Sequence, residues 1–411
     1  MLKRIMITAG RRQGSEGRKV VSFASDIDQI KQKHICSRCV GESYLSQEMK
    51  KSGVRKKCSY CNKISSCYSI AEFSERIDAV FEKHFFRTSD QPNSWQYSLL
   101  ADKESSYDWE RDGEPVVYAI MNAADIPENA AKDIQRILDD QYSDFDAAKV
   151  GEETPYSSES YYEEKGPDDS YWQEEWQSFE RSLKTEARFF SRSAANHLSS
   201  VFANIDLMTT RDGRRLVVDA GPDTNLTSLF RARVFQADDK LVEALKRPDK
   251  SLGSPPWQYA NAGRMNARGI SVFYAANDPK VTIAEVRPPV GSQVAVAKFE
   301  VIRPVRLLDL TALSAVSTTG SIFDTTFADR LERAMFLRRL SSRMTRPVMP
   351  DDEVFDYLPT QAVADFLATE STIKIDGIIF PSVQAEGVAL NVVLYPSHLK
   401  SWCLKYFEVI G

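Results

Sequence analysis

At 411 residues, with 42% apolar and 27% charged side chains, the chain has the make-up of an ordinary globular protein, long enough for two or three domains. A net charge of −5 argues against a general nucleic-acid coat, and no run nears the ~18 apolar residues of a membrane span. The opening residues, MLKRIMITAGRRQGSEGRKV, lack the apolar core of a signal peptide, so the cytoplasm is the expected compartment.

Residues 1–30 read as a polar arm with one short strand at Lys19–Ala24. A cysteine module follows over 31–70. Five of the six cysteines fall between Cys36 and Cys67, a crowding that suits metal binding rather than disulfides. Cys36, Cys39, Cys58 and Cys61 form a CxxC–x18–CxxC pattern. Two residues between cysteines let both thiolates of a knuckle point at one ion, and two knuckles complete a tetrahedral S4 shell. Four protein ligands leave no open position, so the expected zinc is structural. His34 and Cys67 are spare donors. Lys50, Lys51, Arg55, Lys56 and Lys57 crowd the spacer; within an acidic chain they read as a solvated loop before a phosphate-contacting finger.

From Ile70 the spacing of Ile70, Phe73, Ile77, Val80, Phe81 and Phe85 predicts a helix, and Asp133–Leu138 marks another. Between Asp139 and Glu180 fourteen acidic residues face two lysines, so much of that stretch reads as a solvated acidic loop. Trp172, Trp176, Phe179 and Leu183, continued by Ala187, Phe190, Ala194, Leu198 and Val201, predict one long buried helix. Beyond Gly221–Pro222 short apolar runs predict strands at Ile270–Ala275, Val294–Val301, Val305–Leu310, Gly377–Phe380 and Ala389–Tyr395. Helices alternate with them at Asp278–Arg287, Asp324–Met344 and Thr360–Thr369. The expected organisation is α+β: an arm (1–30), a zinc knuckle module (31–70), a helical domain with an acidic loop (71–221) and a mixed C-terminal domain (222–411).

Chemistry concentrates in NAGRMNARGISVFYAANDPKVTIAEVRPP, residues 261–289. Asp278 suits a helix N-cap and Pro279 the first helical position. On that helix Glu285 lies ~40° round from Val281, beside the inward stripe, where a carboxylate is costly unless paired. A core salt bridge is the plain alternative to a catalytic role. Arg264, Tyr274 and Glu285 together offer a guanidinium, a phenol and a carboxylate, groups suited to holding a dinucleotide and cleaving it at a ribose.

Four segments, LFRARVF (229–235), GRMNARG (263–269), VFYAANDPKVTIAEVR (272–287) and DGIIFPSVQAEGVALNVVLYP (376–396), resemble in order and spacing the RES family, NAD-consuming toxin domains named for an Arg, a Glu and a Ser. The resemblance covers about the last 180 residues. It implies an ADP-ribosyltransferase-like fold, NAD as substrate, and cleavage of the nicotinamide–ribose bond by hydrolysis or phosphorolysis within a toxin–antitoxin or defence system. By motif match, Arg231 and Arg264 would bind the NAD pyrophosphate, with Arg233 and Arg268 as neighbours. Tyr274 would face the nicotinamide or ribose, Glu285 would grip the ribose hydroxyls as the glycosidic bond breaks, and Ser382 would donate to substrate from a turn between two strands. An inhibitor protein or antitoxin is the implied partner, and a homo-oligomer is allowed. A protein ADP-ribosyltransferase using the same site is the alternative enzyme, and a non-catalytic zinc-anchored binding protein the alternative outside catalysis. The N-terminal half resembles the HEPN-type regions that accompany some RES proteins, part of which cleave RNA with an Arg–His pair. Here Arg192 and His197 stand five residues apart, and a packed or capping histidine is the default reading.

Overall fold

A computed structural model describes residues 23–382, 384, 389–395 and 404–410. It divides into two compact units, residues 1–166 with 321–324, and residues 167–320 with 325–411. The division thus falls at Gly166/Pro167, where the sequence suggested 221/222. Among the described residues no helix is long and apolar enough to cross a membrane.

In the first unit a helix at Phe23–Lys31 takes the last residues of the strand expected at Lys19–Ala24; the rest of that strand lies outside the described residues. The cysteine module is a three-stranded antiparallel sheet, His34–Cys36 and Val54–Lys57 flanking Ile64–Ser69. The spacer between the two cysteine pairs is structured, carrying a helix (Ser43–Ser52) and the Val54–Lys57 strand. Lys50, Lys51, Arg55, Lys56 and Lys57 are exposed on these elements, so they are a solvated face but not a loop.

Helix Ile70–His84 starts with a capping box, Ser69 Oγ accepting from the Glu72 amide while the Glu72 carboxylate accepts from the Ser69 amide. Its stripe of Ile70, Phe73, Ile77, Val80 and Phe81 is buried, each side chain contributing ~1.5–3 kcal/mol of transfer free energy. Lys33 and the Tyr60 hydroxyl both donate to Asp133, at 2.7 Å each to Oδ2, tying the module to helix Glu128–Gln141. The acidic stretch departs from expectation: Tyr161–Glu164 is the central strand of a small sheet. Tyr156 and Tyr162 are buried, stacking on each other and packing against Phe81. Charge density suggested a loop, but three aromatic rings outweigh the solvated carboxylates around them.

In the second unit the long helix expected from Trp172 to Val201 is broken. It runs Ser170–Thr185 and resumes at Arg192–Val201. Phe190 sits at the break with φ 60° and is fully exposed, so it joins no stripe. Arg188 donates to the Leu183 carbonyl across the end of the first helix, satisfying a carbonyl that the helix leaves open. Trp176, Phe179, Leu183, Leu198 and Val201 still enter one core, with Phe336, Leu337 and Val393.

That core lies against an eight-stranded sheet whose spatial order is Leu404–Ile410, Gln293–Val301, Ser228–Phe235, Phe273–Ala276, Leu390–Leu394, Gly377–Pro381, Val305–Asp309 and Val217–Ala220. Every described pairing in it is antiparallel except that of Val305–Asp309 with Gly377–Pro381. A parallel pair needs a crossover, and helices Phe327–Thr345 and Leu358–Thr369 supply it. The Ser228–Phe235 strand was not anticipated, because two arginines interrupt the apolar pattern that marks a strand. The whole is α+β, as expected.

Candidate functional site

Four sulfurs converge in the first unit. The Sγ atoms of Cys36, Cys39, Cys58 and Cys61 all lie within 4.8 Å of one another. Three separations are 3.7 Å (Cys36–Cys39), 3.6 Å (Cys36–Cys61) and 3.9 Å (Cys39–Cys58). A tetrahedron with ~2.3 Å metal–sulfur bonds has sulfurs about 3.8 Å apart, so the donor set fits a single ion. Local turns produce the knuckles. The Cys39 amide bonds the Cys36 carbonyl, and the Asn62 amide bonds the Cys58 carbonyl with Asn62 in the left-handed region at φ 61°. Asparagine tolerates that conformation better than most residues. The two spare donors stay out: Cys67 Sγ turns to the Lys56 and Ser65 carbonyls, and His34 Nε2 meets Lys56 Nζ at 2.9 Å.

In the second unit a cleft of about 560 Å³ is lined by Arg231, Arg264, Tyr274, Glu285 and Asn391, among others. Helix Pro279–Val286 carries Glu285. Asp278 caps it, accepting from the Lys280 amide at 2.7 Å, and Pro279 begins it. Asn277 anchors its entry, exchanging bonds with the Leu390 amide and carbonyl. The helix ends at Arg287, which lines the cleft with φ 43°.

Glu285 is exposed rather than set beside the core, a correction to its expected place. Its Oε1 accepts from Ser382 Oγ at 2.5 Å and from Asn391 Nδ2 at 2.8 Å. No cation pairs with it among the described residues, which removes the core salt bridge. A carboxylate in the last turn of a helix also opposes the helix dipole, at a cost of ~0.3–1 kcal/mol. The left-handed Arg287 beside it adds ~1–2 kcal/mol. Both of these unfavourable local choices fall at the cleft.

Tyr274 stands on strand Phe273–Ala276, opposite Val393. Its hydroxyl accepts from the Met265 amide and donates to Asn266 Oδ1, both at 2.9 Å. Burial pushes the phenol up to about 12, so it stays protonated. The hydroxyl is therefore spent on shaping the 263–266 turn. A Cβ at Gly263 would sit 2.7 Å from that hydroxyl, which is why a glycine stands there. Gln361 and Thr360, at the start of helix Leu358–Thr369, clasp the same turn through the Gly263 and Arg264 carbonyls.

Arg264 projects from that turn. It donates to the Met344 carbonyl at 3.1 Å and the Arg346 carbonyl at 2.8 Å and lies over the Tyr357 ring. Arg231 differs: its Nη1 is buried without a hydrogen-bond partner among the described residues. Its guanidinium sits 5.2 Å from the centre of the Phe273 ring. Burial, with the charge of Arg233 added, holds it down at about 10, so it remains charged at neutral pH. Arg231 is half-buried as a residue, and a charged nitrogen held out of water without a partner is a cost that an arriving anion would offset. Arg233 donates to the Ser251 carbonyl at 2.9 Å and lines an adjoining cavity. Arg268 is exposed and lines neither cavity; the structure does not bring it to the site.

Sequence reasoning missed Asn391, Tyr357 and Glu353. The signal for Asn391 was available, one amide inside the apolar strand Leu390–Leu394. Tyr357 and Glu353, joined by a hydroxyl–carboxylate bond of 3.1 Å, come from a segment with no local pattern. His197 packs against Trp176, Phe179 and Phe336, burial lowers its pKa, and Arg192 is exposed.

The second unit is thus a mixed α+β domain around a cleft that offers the Glu285 carboxylate and, among the described residues, a buried Arg231 Nη1 without a partner. Residues 240–402 match the family model of the RES domain, and this part of the chain is a RES domain, a class linked to NAD-related chemistry. Among curated proteins no match was found.

Proposed function

We propose that the cleft cleaves the nicotinamide–ribose bond of NAD, with Glu285 as the group that stabilises the breaking bond. The observation that supports this reading is the state of Glu285. One oxygen is held by two neutral donors, the charge meets no cation, and Oε2 is left to the cleft. Such a carboxylate is pre-oriented to accept from the ribose hydroxyls and to face the positive charge that grows at the anomeric carbon. The C–N bond breaks, its electron pair goes to the pyridinium nitrogen, and nicotinamide leaves neutral without a general acid. Water or phosphate then bonds the anomeric carbon, and the proton of the attacking group passes to solvent. Ser382 and Asn391 act as positioning residues, and Arg231 binds the pyrophosphate bidentately. Arg264 shapes the wall.

Nicotinamide release from NAD, followed with wild type beside Glu285→Gln and Glu353→Gln, tests this assignment. Release by wild type, nearly abolished in the first variant and largely kept in the second, is expected. No release by wild type, with or without phosphate, overturns it. ADP-ribose transferred to protein would instead support the transferase.

By its RES class the chain would act as a toxin restrained by an inhibitor protein. Expression should then deplete cellular NAD and arrest growth, and Glu285→Gln should do neither; arrest by both forms would remove the link. The cysteine cluster would hold one structural zinc.

A further inference from the structure

Beside the main cleft lies a second cavity of about 490 Å³, and Arg231, Ala232 and Tyr274 line both. Its charge is one-sided. Arg231, Arg233 and Lys250 line it, and no carboxylate does among the described residues. Arg231 brings the buried, unpartnered Nη1 to the shared wall. Arg233 is oriented by its bond to the Ser251 carbonyl, and Lys250 is exposed on the rim. Tyr259, 76% exposed, offers an aromatic face to the same space.

Glu285 belongs to the first cavity only, so a dinucleotide with its nicotinamide ribose there and its pyrophosphate at Arg231 would extend its adenosine into the second. Sites selective for the unphosphorylated dinucleotide present a carboxylate to the adenosine ribose diol, and sites that take the 2′-phosphate present an arginine. Here the carboxylate is missing, and two cations beyond Arg231 stand ready. A pyrophosphate carries too little charge to occupy all three. We infer that the second cavity is a subsite for the adenosine 2′-phosphate, so that NADP is a substrate of this chain at least as good as NAD. Tyr259 would stack on the adenine.

This inference rests on the proposed cleavage activity, and the test separates the two. The full chain is assayed for nicotinamide release from NAD and from NADP, alone and as the Arg233→Ala/Lys250→Ala double variant. Expected is a kcat/KM for NADP equal to or above that for NAD, and a fall of about ten-fold or more in the NADP-to-NAD ratio in the double variant, as for the loss of one charge-assisted phosphate contact. NAD cleaved with NADP refused, or a ratio unmoved by the double variant, overturns the subsite and leaves the cleavage reading standing. Cleavage of neither overturns the cleavage reading. Calorimetry with 2′,5′-ADP against 5′-AMP then decides the subsite by itself: tighter binding of the bisphosphate, lost in the double variant, keeps it, and equal or weaker binding sinks it.

Discussion

The two sites of this chain solve opposite problems. In the cysteine cluster every donor turns inward on one point, the backbone of each knuckle closes on itself, and nothing is left for a substrate. In the RES cleft the donors are divided. Tyr274 and Arg264 are consumed by the protein, whereas Nη1 of Arg231 and one oxygen of Glu285 have no partner among the described residues. A closed donor set binds its ion as part of folding. An open one stores electrostatic cost in the empty protein and recovers it when a ligand of the right charge arrives. Which groups are left unsatisfied therefore tells more about chemistry than which groups are present.

The largest effect should follow from opening the closed site. Structural zinc in small modules carries ~10–16 kcal/mol of apparent binding free energy, so strong chelation or Cys36→Ser should unfold the module, seen as loss of helical signal and new protease cuts between residues 34 and 67. Purified chain with no bound metal equivalent would erase the contrast. Next comes the open carboxylate. Glu285→Gln keeps size and hydrogen bonding but removes charge, and should lower kcat about 10²–10³-fold while leaving the thermal midpoint within a degree or two.

Arg231→Met sharpens the comparison most directly. It should weaken substrate binding about ten-fold or more, yet leave stability unchanged or slightly raised, since a half-buried guanidinium with a buried, unpartnered Nη1 is exchanged for an apolar chain. A destabilised Arg231→Met would mean that the guanidinium is structural after all, like that of Arg264. The smallest effect concerns His197. Burial lowers its pKa, so on acidification the unfolded chain takes up the proton first. Its contribution to stability is then present above the ordinary histidine value near 6.5 and is lost as pH falls below it. His197→Phe should flatten part of the decline in denaturant midpoint between pH 7.5 and 5.5; His34 and His84, lowered in the same direction by burial, contribute as well. An unchanged slope would show that His197 is already solvated.

What the sequence determined by itself was whatever is encoded within a few residues. The CxxC spacing brings sulfurs together because each knuckle is a single turn. Asp278-Pro279 starts the Glu285 helix because cap and first-turn preferences are local, and the 70–84 stripe buries because its period is helical. Only tertiary structure decided which charges are paired. Arg231 and Arg264 look alike in sequence, but Arg264 finds carbonyls some 80 residues away and Arg231 finds none among the described residues. Asn391 and Ser382 reach Glu285 across about 100 positions. The break at Phe190 and the burial of Tyr156 likewise depend on distant partners. Pairing and burial are sums over neighbours that the chain supplies from far along its length, and no local pattern carries that information.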